Sequence, residues 1–140
     1  MNEESSYKIL KFKGSELPEQ YRAMIYSKFL RSLRYGNEMF KLIDQEPYFK
    51  NYHSYIAALL RRPESIVKIA VLSDDSDVAL GWALLEPNKL HYIYVNKDNR
   101  HIGIGKTLAL EPFEVFSHIT TIGLSIWPKM FPKAKFDPFA

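Results

Sequence analysis

The chain has no cysteine, which excludes disulfides and thiolate-held metals and makes a reducing compartment, the cytoplasm, the expected location. No apolar run approaches the ~20 residues that a membrane-spanning helix requires. The first residues, Met-Asn-Glu-Glu-Ser-Ser, are acidic and polar, so no secretory leader is expected. The four histidines, His53, His91, His101 and His118, fall at spacings that suit no metal site. Charge of one sign is scarce too. A net +3 over 140 residues is an ordinary solubilising balance, and the basic residues Arg22, Lys28, Arg31, Arg34, Arg61 and Arg62 are read as solvated helix faces, with nucleic acid unlikely as a partner. Repeats, low-complexity tracts and linkers are absent, so one domain spanning 1–140 is the expectation.

What is present is an apolar, aromatic-rich chain, 46% hydrophobic and 14% aromatic, with enough material for a packed core. Residues 7–13 alternate as a first strand. From 18 to 35, Tyr21, Met24, Ile25, Phe29, Leu30 and Leu33 recur at three- and four-residue spacing. That is one buried stripe of an amphipathic helix, with Arg22, Lys28, Arg31 and Arg34 mostly outward. A second helical stretch, expected in pieces because of Pro47, runs to Arg61-Arg62. Three short β-rich runs follow at 65–72, 78–85 and 90–95, separated by Asp74-Asp75-Ser76-Asp77 and Pro87-Asn88. After them come a glycine loop, a helix from about Gly105 that contains Pro112, and a last strand at 120–127. The order predicts an α+β fold, with helices on a mostly antiparallel sheet.

The segment 90–109 carries the chemistry. A strand passes into a loop with Gly103 and Gly105 and then into a helix, so several backbone N–H groups face one way and glycine lets a ligand reach them. The helix start adds unpaired amides and the positive end of its dipole, while Arg100 and Lys106 add charge at the rim. A strain-relieving strand-to-helix turn would look the same. Gly105-Lys106-Thr107 also matches the end of a nucleotide-triphosphate loop, but Arg100 stands where that pattern needs glycine, and 120–127 ends without a metal-binding Asp.

Val95, Arg100, Gly103 and Gly105 resemble the signature of the Gcn5-related N-acetyltransferases (GNAT), in which a strand ending in valine leads to Arg/Gln-x-x-Gly-x-Gly/Ala and a helix. The resemblance covers about 7–127, with detailed matching in 90–109. It implies that acetyl-CoA is the cofactor, its pyrophosphate held by amides of His101, Ile102, Gly103, Ile104, Gly105 and Lys106 beside Arg100. It implies too that the pantetheine arm lies on Ile93, Tyr94 and Val95. The strand carrying them is expected to splay from the next, aided by a β-bulge, with a backbone N–H near Val95 stabilising the thioester oxyanion.

The resemblance implies acetyl transfer to an amine acceptor, which the sequence does not identify. The usual acidic tyrosine is replaced by Phe131, Ser125 stands where some relatives have glutamate, and the family's final hairpin is expected to be missing. Glu86, Tyr92 and Tyr94 are the candidate catalytic replacements, with His91 a group able to titrate near neutrality. The alternative is a catalytically inactive GNAT-fold subunit serving binding or assembly, as a small virus-encoded or complex-bound relative would. The apolar tail at 127–140, with Trp127, Met130, Phe131, Phe136 and Phe139, is expected to be ordered, either on its own domain or in a homo-oligomer or larger assembly.

Overall fold

The computed structural model describes residues 6–100, 103–109, 113–120 and 132–140. Strand β1 (Tyr7–Lys13) leads through a 3-10 turn into helices α1 (Glu19–Tyr35) and α2 (Gln45–Arg61). Strands β2 (Ile66–Leu72), β3 (Asp75–Glu86) and β4 (Asn88–Val95) form the expected meander. Helix α3 (Ile104–Leu108), β5 (Phe113–Phe116) and β6 (Lys135–Phe136) complete the elements. The sheet runs β1-β2-β3-β4-β5-β6, antiparallel through β4 and parallel for the last two pairings. This is the α+β architecture that the sequence predicts.

The stripe on α1 is buried as its spacing requires, with Tyr21, Ile25, Phe29, Leu30 and Leu33 inside. With α2 it covers one sheet face, meeting Val67, Ile69, Val71, Trp82, Leu84 and Tyr92. The opposite face packs Ala70, Leu80, Ala83, Leu85 and Leu90 against Ile104 and Leu108 of α3 and Phe116 of β5. Fully burying an aliphatic or aromatic side chain contributes roughly 1.5–3 kcal/mol, so these two layers are what hold the helices to the sheet.

Three expectations are corrected, and others fall outside the described residues. Pro47 does not divide the second helix, because it sits in the first turn of α2, where backbone N–H groups have no intrahelical partner to lose. Arg34 faces inward at 8% exposure: its guanidinium lies 5.1 Å from the Tyr48 ring centroid and donates to the Phe40 carbonyl oxygen. A planar cation is well suited to such an aromatic setting. Helix α3 stops at Leu108, and the next strand is Phe113–Phe116, whose aromatic and β-branched residues suit a pleated edge. The strand expected at 120–127 lies, beyond Thr120, outside the described residues, as do Pro112, Ser125, Trp127, Met130 and Phe131. The described part of the tail pairs with β5, buries Ala134 and leaves Phe136 and Phe139 exposed.

Two bulges set which residues face which core. In β3, Ala70 pairs with Gly81 but Val71 with Ala79, leaving Leu80 extra. In β4, Leu84 pairs with Tyr92 but Leu85 with Leu90, leaving His91 extra. Side chains alternate along a strand, so Leu90 and Tyr92 would share a face in a regular ladder. The extra residue reverses the alternation, sending Leu90 toward α3 and Tyr92 toward α1.

Gly81 pairs with Val95 where the two strands approach most closely; a Cβ there would stand 2.8 Å from the Tyr94 carbonyl oxygen. Gly81→Ala must therefore push β4 outward and is expected to lower unfolding free energy by about 1–3 kcal/mol. Urea denaturation of the two proteins measures the difference.

Candidate functional site

The ladder of β3 and β4 fixes which way the backbone of β4 points. The Asn96 amide donates to the Leu80 carbonyl at 2.9 Å, one end of a hydrogen-bonded antiparallel pair. Such pairs alternate with non-bonded ones, so Trp82–Tyr94 and Leu84–Tyr92 exchange hydrogen bonds, while Gly81–Val95 and Ala83–Ile93 do not. The N–H and C=O groups of Ile93 and Val95 therefore point away from β3, toward the side where β5 would lie.

Strand β5 does not reach them. It pairs with β4 only through Asn88, Lys89 and Leu90, and the Ser117 amide then donates to the Leu90 carbonyl at 3.0 Å. Beyond that point the chain leaves the sheet for the helices. Thr120 Cγ2 lies 3.0 Å from where a Cβ on Gly36 would be, just past the end of α1. Among the described residues, the second half of β4 thus has no strand neighbour on its outer side. The parting begins at the bulge; the strand 120–127, from which the GNAT resemblance implies the splay, lies beyond Thr120 outside the described residues.

The loop after β4 completes this edge. Arg100 Nε donates to the outward carbonyl of Val95 at 2.9 Å, and its guanidinium lies 5.9 Å from the Tyr94 ring centroid. Lys28 of α1 approaches the same ring at 5.8 Å. Gly103 takes a left-handed conformation with φ of 83°, and a Cβ added to it would meet none of the described residues within 4 Å. Space therefore lies against bare backbone at the head of α3. Ile104 is wholly buried, whereas Lys106 is exposed. Helix α3 has five residues, too few for the sizeable dipole expected of it. Thr107 Oγ1 donates to the Gly103 carbonyl at 3.1 Å and meets the Tyr7 hydroxyl at 3.0 Å, which commits it internally and away from any nucleotide-bound metal. His101 and Ile102 lie outside the described residues.

The three candidate catalytic residues lie apart. Tyr94 is half-buried on the α1 side of the open edge, between the two cations. Tyr92 is 1% exposed, stacked on Phe29 at 4.3 Å, with its hydroxyl 2.7 Å from Ser32 Oγ. Burial raises that hydroxyl far above the usual phenol range. Glu86 is opposite Lys89 at the closed end of the sheet, four strand positions before Ile93, or roughly 13 Å. Nor is it a solvated turn residue. Its Oε1 accepts from Arg62 Nη1 and from His91 Nε2, each at 2.7 Å.

These contacts belong to a buried polar cluster that sequence spacing does not reveal. His91 Nδ1 is 2.9 Å from Ser117 Oγ, and Ser117 Oγ is 3.1 Å from His118 Nδ1. His118 Nε2 is 3.4 Å from the Tyr52 hydroxyl, and its Nδ1 is 3.4 Å from that of Tyr55. Burial opposes ionisation of Glu86, but the bonds from His91 and Arg62 outweigh it and lower its pKa. His91 is lowered mainly by burial, against the pull of Glu86. Burial, aided by His91, brings His118 down to about 4. In the sequence His91 stood out only as a titratable group; Ser117 and His118 carry no motif. Among the described residues, no group of three or more His, Asp or Glu is placed to hold a metal ion, and no helix is long and apolar enough to cross a membrane.

No family model matches the chain, and no curated protein matches it in sequence. A solved structure described as an acetyl transferase from Pyrococcus furiosus aligns with a TM-score of 0.55 at 21% identity, covering 94% of this chain and 80% of that one. An aminoglycoside acetyltransferase from an uncultured soil metagenomic sample, in complex with trehalose, aligns at 0.47 and 17% identity, covering 91% and 89%. AAC(6')-Iy in complex with the bisubstrate analogue CoA-S-monomethyl-acetylneamine aligns at 0.44 and 12%, covering 94% and 77%. The first likeness shows the fold: this chain has the architecture of GNAT-type acetyltransferases.

An imidazole kept neutral inside makes stability depend on pH. Unfolded His118 gains its proton near pH 6.5, while the folded one holds out to about 4, so the unfolded state binds more protons between them. Stability from this group is complete above pH 6.5 and is lost as the pH falls toward 4, by on the order of 3 kcal/mol. Denaturation of the unmodified protein at pH 7 and pH 5 should show the drop, and His118→Gln should flatten it.

Proposed function

We propose that the chain is an acyl-CoA-dependent N-acyltransferase that seats the pantetheine arm along the open half of β4 and passes an acetyl group to an amine. The observation that carries this reading is the outward backbone of Ile93 and Val95, with no strand beside it among the described residues. A pantetheine arm carries amide donors and acceptors and adds to such an edge as another strand would. The loop suits the rest of the ligand: Gly103 leaves room for a phosphate against backbone amides, and Arg100 and Lys106 supply positive charge. A Cβ with a carboxylate at Gly103 would fill that room.

Acetyl-CoA brings an activated thioester carbonyl, and the chain supplies position and charge. The Val95 N–H, pointing into the gap, is the candidate oxyanion donor. Tyr94 is the candidate side chain at the open edge for handing a proton to a departing thiolate, with Lys28 and Arg100 beside its ring. Tyr92 serves packing in this scheme, because its hydroxyl is held by Ser32.

A second reading, coenzyme binding without transfer, draws support from the same contacts. Tyr92 and Glu86 are both bound internally rather than presented to the edge. The two readings part at a measurement of thiol release with a panel of amines.

Acetyl-CoA at ~100 times its dissociation constant is expected to add about 2.7 kcal/mol of stability, read as a rise in melting temperature. Gly103→Asp should abolish that rise, and should lower the stability of the free protein by roughly 1–2 kcal/mol, because position 103 holds a positive φ. If calorimetry at low salt shows no binding by the unmodified chain, the acyltransferase reading fails.

A further inference from the structure

Arg100 closes part of the edge that the proposed ligand needs. Its Nε donates to the Val95 carbonyl at 2.9 Å, the N···O distance that an amide of an added strand would take up. That carbonyl belongs to the backbone turned away from β3, since Gly81–Val95 is a non-bonded pair of the ladder. The guanidinium lies 5.9 Å from the ring centroid of Tyr94, one residue back along the strand. An arm adding to β4 and a side chain lying there claim the same acceptor and the same space.

The bond is loosely made. Arg100 is exposed, just past the 3-10 turn Lys97–Asn99, so water competes for its donors. Only the Nε–H is used: among the described residues, the two terminal nitrogens have no acceptor. A planar fork with free terminal donors has a better partner in a phosphate, which takes two of its N–H groups at once and meets its charge. Val95 offers one neutral oxygen.

We infer that Arg100 is a latch on the open half of β4, which makes that edge selective for thioesters bearing phosphate. This rests on the acyltransferase reading above and narrows its substrate class. In the free chain the guanidinium covers the Val95 carbonyl. A neutral pantetheine arm has to break that bond to form one much like it, and gains little from the exchange. A phosphorylated arm offers the guanidinium a stronger bond elsewhere, so Val95 is released as the ligand arrives. Charge on the ligand thereby decides whether the strand accepts the arm. The side chain that attracts coenzyme A is the one that turns phosphate-free thioesters away.

Two substitutions separate a latch from a plain phosphate contact. Glutamine carries its amide nitrogen at the chain position of arginine Nε, so Arg100→Gln keeps a donor for Val95 without the charge, whereas Arg100→Ala keeps neither. Arg100 is exposed, so both variants should melt with the unmodified protein. Calorimetry of the full chain then compares acetyl-CoA with S-acetylpantetheine, which has no phosphate. S-acetylpantetheine should bind Arg100→Ala about three- to tenfold more tightly than the unmodified protein, and about threefold more tightly than Arg100→Gln. Acetyl-CoA should reverse the rank of the unmodified protein, binding it best, Arg100→Ala next and Arg100→Gln least. No gain for S-acetylpantetheine in Arg100→Ala, or equal losses of acetyl-CoA in the two variants, would overturn the latch and leave an ordinary phosphate contact. Failure of the unmodified protein to bind acetyl-CoA would instead overturn the acyltransferase reading, and the latch with it.

Discussion

The arrangement of this molecule turns on the extra residue His91 in β4. A one-residue bulge leaves one strand longer than its partner and reverses the facing of everything beyond it. Before it, β4 is an interior strand flanked by β3 and β5, and Leu90 faces α3. After it, β4 has β3 as its only strand neighbour among the described residues, and Tyr92 and Tyr94 face α1. One strand thereby serves as core at its start and, among the described residues, as an open edge at its end.

An unpaired strand half is ordinarily a hazard, because its amides and carbonyls invite another chain. Here the exposed stretch is short and is hemmed by Arg100, which takes the Val95 carbonyl, and by Lys28 beside Tyr94. Charged groups at such an edge discourage a second β-strand while suiting an anionic ligand. Gly81 allows close approach on the closed side, and Gly103 keeps space on the open side. The two glycines act in opposite senses at the two flanks of one strand.

The bulge also explains the buried polar cluster. His91 leaves the regular alternation and enters the helix side of the sheet, where Glu86 and Ser117 are its partners, while His118 meets the α2 tyrosines. Burying imidazoles costs free energy unless their nitrogens are bonded, and here both nitrogens of both rings have neighbours within 3.4 Å. The ionised Glu86 is in turn matched by Arg62, so no lone charge is left inside.

The sequence by itself determined the elements whose patterns are local. The period of α1, the meander turns, the glycine loop and the strand that feeds it were all legible, because side-chain alternation and turn chemistry act over a few residues. The candidate binding edge at Ile93–Tyr94–Val95 was legible through a family motif. The tertiary structure alone decided the role of Glu86, which reads as a turn residue beside proline until Arg62 and His91 close on it. It also decided that Arg34 turns inward, that Pro47 sits harmlessly in a first turn, and that β5 begins at Phe113. Ser117 and His118 had no signal at all. Their significance comes from partners 26 to 66 positions away, and no short-range pattern encodes which distant groups a fold will press together.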